Sequence, residues 1–331
     1  MIRLAVVGCA GAAQQYIDIV SRVQSATFVA AVDADAGLAR STGAALGASV
    51  WATSLQELLD QHAAELDAVL VHSENCFHPQ HAAQGAQAGK HLLVETPLAL
   101  SSGAADEMIA ARDDGNVCLM LGQADRFQPS LRVVREELAA GHLGQPGLVR
   151  VHRWEGRTTG GWQQSQRDVR QNGGTILGRV VRDIDLACWL IGRQPTEVFA
   201  VGRNPTQATD AAWDYVQLHL GFAAGAMALI DYCGALPAGD DYFSLSVVGS
   251  TGAAYADDHH NMQLLYRGGS PAALKTDQAQ HQLLAQLQEF VGAIEAGREP
   301  SITATDGRHA VRVAEAANES IATGQTVHLA E

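Results

Sequence analysis

Ile2-Arg-Leu4-Ala-Val-Val7-Gly8-Cys-Ala10-Gly11-Ala12-Ala13 decides the fold. An apolar run of strand length breaks at a glycine, and small residues then lead into Tyr16, Val20 and Val23, spaced i, i+4, i+7 as on one helix face. Strand, glycine turn and helix in that order are the setting in which G-x-G-x-x-G cradles a dinucleotide diphosphate. Gly8 makes the tight turn. Ala10 stands where a second glycine lets the backbone approach the phosphates, and Ala13 where the helix packs closely, with Gly11 and Ala12 completing the loop. Asp33 lies 20 residues beyond Ala13, at the end of the second apolar run, where a carboxylate accepts from the adenosine ribose hydroxyls. The same charge repels the extra phosphate of NADP, so NAD is favoured over NADP.

Outward from this motif, residues 2–121 repeat one theme: a short Val, Leu and Ala run, a turn, then a stretch with helical spacing. Strands are expected at 4–7, 28–32, 68–71, 92–94 and 117–121, apolar throughout as in a parallel sheet covered on both faces. Ser54-Leu-Gln-Glu57 has the form of a capping box, and Gly89 is placed to end a helix begun near His78. Beyond residue 121 the pattern changes to period two, as in Val216, Leu218, Leu220, Phe222 and in Phe243, Leu245, Val247. Helical stretches at 131–140, 175–190, 282–296 and 308–321 flank these runs. The fold class is therefore α/β: an N-terminal Rossmann domain over 1–121, then a 122–331 α+β domain on an open-faced, mostly antiparallel sheet.

Composition narrows the partners. The 331 residues supply core enough for two domains at 47% hydrophobic content. The 22 Lys and Arg against 36 Asp and Glu leave a net charge of -14, which disfavours nucleic acid and anionic lipid alike. The 5 cysteines are scattered and lack C-x-x-C spacing, as expected of free thiols in the cytoplasm. The N-terminal apolar run is too short for a signal peptide or a spanning helix. His259-His260 follows Asp257-Asp258 without further ligands at zinc spacing, so no metal is expected.

Several segments, in order, resemble the glucose-fructose oxidoreductase, inositol dehydrogenase and rhizopine catabolism (Gfo/Idh/MocA) family. They are Asp67-Ala-Val-Leu-Val-His-Ser73-Glu-Asn75 with His78, Gly89-Lys-His-Leu-Leu-Val-Glu95-Thr96-Pro97, and Arg126-Phe-Gln-Pro129. The run from Gly173-Gly-Thr to Trp189-Leu-Ile-Gly192 resembles the family's catalytic helix, and Gly249-Ser-Thr-Gly252 a later turn. The resemblance implies reversible NAD(P)-dependent oxidation of a sugar or cyclitol hydroxyl. It also implies a homodimer or homotetramer formed through the C-terminal sheet. It assigns Ser73, Asn75, His78 and Glu95 to the cofactor, beside Gly8, Ala10, Gly11, Ala12 and Asp33.

Three positions depart from the family. Thr96 stands for its lysine, Gly178 for its aspartate and Arg182 for its histidine. None of the three takes a hydroxyl proton at neutral pH, since threonine does not ionise, glycine has no side chain and arginine stays protonated. Thr96 and Arg182 thus occupy catalytic positions without the usual chemistry. Arg182 is suited to a carboxylate or phosphate on the substrate, or to a helix-face ion pair with Asp185. Gly178 in mid-helix points to something bulky packed against it, another helix included. Trp162 and Arg167 join Arg182 and Asp185 as substrate-binding candidates. Asp125, His152, Asp168, Asp183, His72 and His78 are further titratable groups, each more readily explained as surface or packing. Two functions remain open: an NAD-dependent oxidoreductase of a sugar, sugar acid or cyclitol with a non-standard catalytic set, and a non-catalytic NAD- or sugar-binding regulator or partner subunit.

Overall fold

The structure is a computed structural model describing residues 1–156, 168–205, 212–237, 241–257, 262–266, 272–275 and 280–329. Trp162, Arg167 and His259-His260 lie outside the described residues. The apolar runs of the N-terminal half form a six-stranded sheet of β1 (Ile2–Val7), β2 (Ala26–Val32), β3 (Val50–Ala52), β4 (Ala68–Val71), β5 (His91–Glu95) and β6 (Leu119–Gly122). Every pairing is parallel, in the order β3-β2-β1-β4-β5-β6. This is the doubly wound dinucleotide fold, with its switch point between β1 and β4. β3 is not evident in the sequence because it is three residues at the sheet edge with Trp51 44% exposed.

The connecting helices are α1 (Gln15–Ile19), α2 (Ala36–Leu46), α3 (Leu55–His62), α4 (His78–Gln87) and α5 (Ser102–Gly115). Ser54 Oγ accepts from the Glu57 amide to open α3, while the Glu57 carboxylate reaches back to the Thr53 amide, one residue earlier than a standard capping box. Gly89, at φ +68°, stops the chain after α4.

Period-two runs build the second sheet from β7 (Pro146–Gly156), β8 (Pro195–Arg203), β9 (Tyr215–Phe222), β10 (Met227–Leu236), β11 (Tyr242–Gly249), β12 (Ala253–Asp257), β13 (Met262–Tyr266), β14 (Ala272–Lys275) and β15 (Val327–His328). Their order is β14-β13-β12-β11-β7-β10-β9-β8-β15. Only β7 and β10 run parallel. Val216, Leu218, Leu220 and Phe222 of β9 are buried, while Tyr215, Gln217 and His219 between them face outward. The helices of this region are α6 (Pro129–Ala139), α7 (Val169–Asn172) and α8 (Val181–Ile191), the last packed on β7 and β10. A π-helical turn, Ile176–Val180, precedes α8, so the stretch expected as one helix over 175–190 has two parts.

α9 (Gln280–Ala296) and α10 (Ala304–Thr323) follow. Two compact units result, Met1–Phe127 with Ala279–Arg308, and Gln128–Gln278 with His309–Glu331. A single boundary after residue 121 misses the return of α9 to the first unit. There Leu283, Leu287, Phe290 and Val291 enter the Rossmann core, with Leu287 and Phe290 fully buried. An apolar stripe shows that a helix covers a sheet, but not which one. Among the described residues no helix is long and apolar enough to cross a membrane.

Candidate active site

The first unit carries the candidate cofactor residues. Gly8 has φ +85°, and a Cβ there would sit 2.5 Å from the His72 carbonyl oxygen and the Ser73 nitrogen. The β1 turn therefore needs glycine on two counts, its left-handed backbone and the close approach of the chain leaving β4. Ala10 and Gly11 lie exposed at the tip of the turn, and Ala13 is fully buried. Gly11 takes the second positive φ, +55°, while Ala10 does not, so its methyl sits there without backbone strain. Asp33 is fixed by two backbone amides: Cys9 N–H donates to Oδ2 at 2.8 Å and Asp35 N–H to Oδ1 at 2.9 Å. A carboxylate offers about four acceptor positions, which leaves room for ribose hydroxyls on the same oxygens. Burial, then the nearby Asp33 carboxylate, pushes the Cys9 thiol up to about 11, so it is a packing group. These residues fit NAD: an exposed small-residue tip for the diphosphate and an anchored carboxylate for the ribose.

The loops after β4 and β5 hold the remaining candidates of this unit. Ser73 Oγ lies 2.9 Å from His81 Nδ1, and Asn75 opens the short 3-10 turn before α4. His78 does not face a ligand as expected. It is 0% exposed, with Nδ1 2.9 Å from the Pro97 carbonyl and Nε2 3.0 Å from the Ser73 carbonyl. Its ring ties the two loops together. Glu95 ends β5 beside Gly122, where a Cβ would come within 2.9 Å of Glu95 Oε1. Glycine in β6 thus clears the space that the carboxylate fills. Thr96 follows with its amide on the Gly122 carbonyl and a cis bond to Pro97.

The second unit gathers a charged cluster. Arg182 donates through Nη2 to Glu155 of β7, and Asp185, further along the same helix, is buried in α8. Glu155 Oε2 accepts from the Tyr232 hydroxyl at 3.0 Å and lies 3.6 Å from Arg179 Nη1. Burial pushes the Glu155 carboxyl up, but Arg182, Arg179, Arg153 and the Tyr232 hydroxyl outweigh it and hold it below the usual carboxylate range. Next to it the fully buried Asp183 accepts from Arg153 Nε at 2.8 Å. Gly178 sits in the π turn because a Cβ would lie 3.0 Å from the Asn172 carbonyl oxygen, so the packed neighbour is backbone from the end of α7. Turns of this kind recur at functional sites.

The other titratable candidates have structural work. Asp168 caps α7 through the Arg170 amide, His152 Nδ1 lies 3.4 Å from Asp231 Oδ2, and Asp125 belongs to the 3-10 turn Ala124–Phe127. The His72 side chain is 1% exposed. Among the described residues no group of 3 or more His, Cys, Asp or Glu is placed to hold a metal. Glu155, Arg179, Arg153 and Tyr232 are absent from the sequence-derived candidates. The available signal was parity, because Arg153 and Glu155 continue the buried face that Val149 and Val151 begin.

Known proteins share this architecture from end to end. Residues 2–123 match the oxidoreductase family's NAD-binding Rossmann fold, and residues 135–329 its C-terminal alpha/beta domain. Inositol 2-dehydrogenase 2 of Saccharopolyspora erythraea is 31% identical over 98% of this chain and 94% of its own. The scyllo-inositol 2-dehydrogenase (NAD(+)) of Bacillus subtilis is 26% identical over 94% and 91%. Among solved structures, GenD2 from gentamicin A biosynthesis, in complex with NAD, superposes with a TM-score of 0.87 at 25% identity, covering 100% of this chain and 97% of that one.

Proposed function

The chain belongs to the Gfo/Idh/MocA oxidoreductase family, and we propose that it interconverts a hydroxyl and a carbonyl on a sugar, sugar acid or cyclitol with a catalytic set of its own. The observation that carries this is Glu155, an ionised carboxylate held against the arginine that stands at the family's histidine position. Bound NAD supplies the hydride acceptor on its nicotinamide ring. Oxidation also needs a base for the hydroxyl proton, and Glu155 is the carboxylate beside Arg182 that can take it where Thr96, Gly178 and Arg182 cannot, although the lowered pKa makes it a weaker base than an unpaired glutamate. Arg182 and Arg179 keep the carboxylate charged, and Tyr232 orients its second oxygen. A guanidinium has five N–H donors, so Arg182 also serves a substrate hydroxyl, or a substrate carboxylate or phosphate competing with Glu155. Gly8, Ala10, Gly11, Ala12, Asp33, Ser73, Asn75 and Glu95 are the proposed cofactor contacts. Trp162 and Arg167 remain substrate candidates. The open sheet face is proposed to form a homodimer or homotetramer.

Titration with NADH and NADPH, followed by energy transfer from the 5 tryptophans, is the first test. Tighter NADH binding supports the Asp33 assignment. A panel of neutral sugars, cyclitols and sugar acids is then scored by nicotinamide absorbance. With a turned-over substrate, Glu155→Gln lowers kcat by about 10²- to 10⁴-fold and leaves NADH affinity unchanged. Equal turnover in that variant removes Glu155 as the base. The three substituted catalytic positions favour a second reading, an NAD- or sugar-binding regulator or partner subunit. NADH binding without turnover of any panel member would select it.

A further inference from the structure

Ser73 is held at two points by histidines of one helix. His78 and His81 stand three residues apart at the start of α4, a spacing that makes them neighbours on the helix surface. His78 Nε2 lies 3.0 Å from the Ser73 carbonyl oxygen, and His81 Nδ1 2.9 Å from the Ser73 hydroxyl. The first contact fixes the backbone of the serine and the second its side chain. His78 is itself fixed by the Pro97 carbonyl, 2.9 Å from Nδ1, and the Phe77 ring lies against the His81 ring with centroids 6.1 Å apart. Ser73 also adjoins the turn after β1, where a Cβ on Gly8 would come within 2.5 Å of the Ser73 nitrogen.

A serine hydroxyl rotates to suit its surroundings, and each orientation offers a ligand a different arrangement of donor and acceptor. A hydroxyl already set in one orientation binds more tightly, because that freedom is lost on folding and not on binding. The half-buried His81 is suited to setting it. Burial, and then neighbouring His78, pushes its ring down to about 4, so at neutral pH the ring is uncharged, with one donor and one acceptor nitrogen. Nδ1 meets the hydroxyl in either tautomer, as acceptor or as donor. We propose that His81 is a positioning residue for the cofactor, one that sets the Ser73 hydroxyl in a single orientation beside the β1 turn while His78 holds the serine backbone. The role rests on the proposed assignment of Ser73 to NAD.

His81→Leu removes Nδ1 and keeps an apolar side chain against Phe77. NADH binding, read by tryptophan energy transfer, is expected to weaken about 3- to 10-fold. His81→Asn returns an amide atom near the place of Nδ1 and should recover the affinity to within about twofold. In a Ser73→Ala background, itself weakened, His81→Leu should weaken binding no further, since the two residues act through one contact. A histidine with a merely structural role would weaken binding by the same factor with or without the Ser73 hydroxyl, and equal factors overturn the proposal. Wild-type affinity in His81→Leu or in Ser73→Ala overturns it as well. A second measurement needs neither ligand nor a His81 variant: in isotope-labelled protein the nitrogen resonance of His81 Nδ1 is expected to move in Ser73→Ala, and an unmoved resonance means that the hydroxyl is not held. A wild type that binds no NADH defeats the proposed function and the cofactor role with it, and the resonance distinguishes that failure from loss of the Ser73 contact.

Discussion

His72 is a histidine that folding keeps neutral. Burial first, and then neighbouring His78, lowers its pKa to about 3. In the unfolded chain the same ring takes up a proton near pH 6.5. Between those values the unfolded state binds more protons, so stability is complete above about pH 6.5 and declines as pH falls toward 3, by about 1.4 kcal/mol per pH unit from this group. Urea denaturation at pH 6.5 and 5 should therefore show a steeper loss for the wild type than for His72→Leu, and equal slopes would mean that the ring is not the source. This behaviour was not legible in the sequence, where His72 is one polar residue ending an apolar run. What seals it is Tyr16, more than fifty positions away. Gly8 and Asp33 were legible because their roles follow from backbone geometry at strand ends, which spacing encodes. The anchoring of Asp33 by the Cys9 amide was not, since it depends on where two turns meet.

Strands and helices fix what the residues can reach. On β7 the alternation that buries Val149 and Val151 also turns Arg153 and Glu155 to the helix-covered face, where charges persist only as a paired network. Period two therefore announces such a network, but the partners Arg182, Arg179 and Tyr232 come from other elements and carry no shared spacing. The π turn bears on any attempt to restore the family's residues. Introducing Gly178→Asp places a Cβ 3.0 Å from the Asn172 carbonyl oxygen and adds a carboxylate near that oxygen. Relief of the mid-helix glycine penalty, about 1 kcal/mol at most, is outweighed by the overpacking and repulsion. The single variant is expected to lose about 1–3 kcal/mol of stability. Combined Thr96→Lys, Gly178→Asp and Arg182→His should then melt lower than wild type without gaining turnover. Thermal unfolding of the Gly178→Asp protein at or above the wild-type midpoint would show that the turn accommodates the side chain.

At the scale of the molecule, the nine-stranded sheet has one face covered by helices and one exposed. Pairing registers align residues across the exposed side. Val248 stands opposite Leu148, and Leu148 opposite Met227, while Tyr255 lies one row away opposite Ser246. Val248, Met227 and Tyr255 are 39%, 50% and 42% exposed, an apolar patch spread over four strands of a chain that carries a net charge of -14. Like charge drives copies apart, so self-association needs a surface whose burial outweighs it, at about 25 cal/mol for each Å² of apolar area removed from water. A sheet face also suits a two-fold partner, since the same rows meet their own copies. Val248→Lys with Met227→Lys adds a desolvation cost in each protomer while leaving the covered face intact. Light scattering during gel filtration should find wild type at two or four times the chain mass, and the variant at one, with an unchanged circular dichroism spectrum. A wild-type protein that elutes at the chain mass would remove the homo-oligomer. The first sheet then still holds the proposed cofactor residues, because Asp33, Ser73 and Glu95 are all set by strands of one unit.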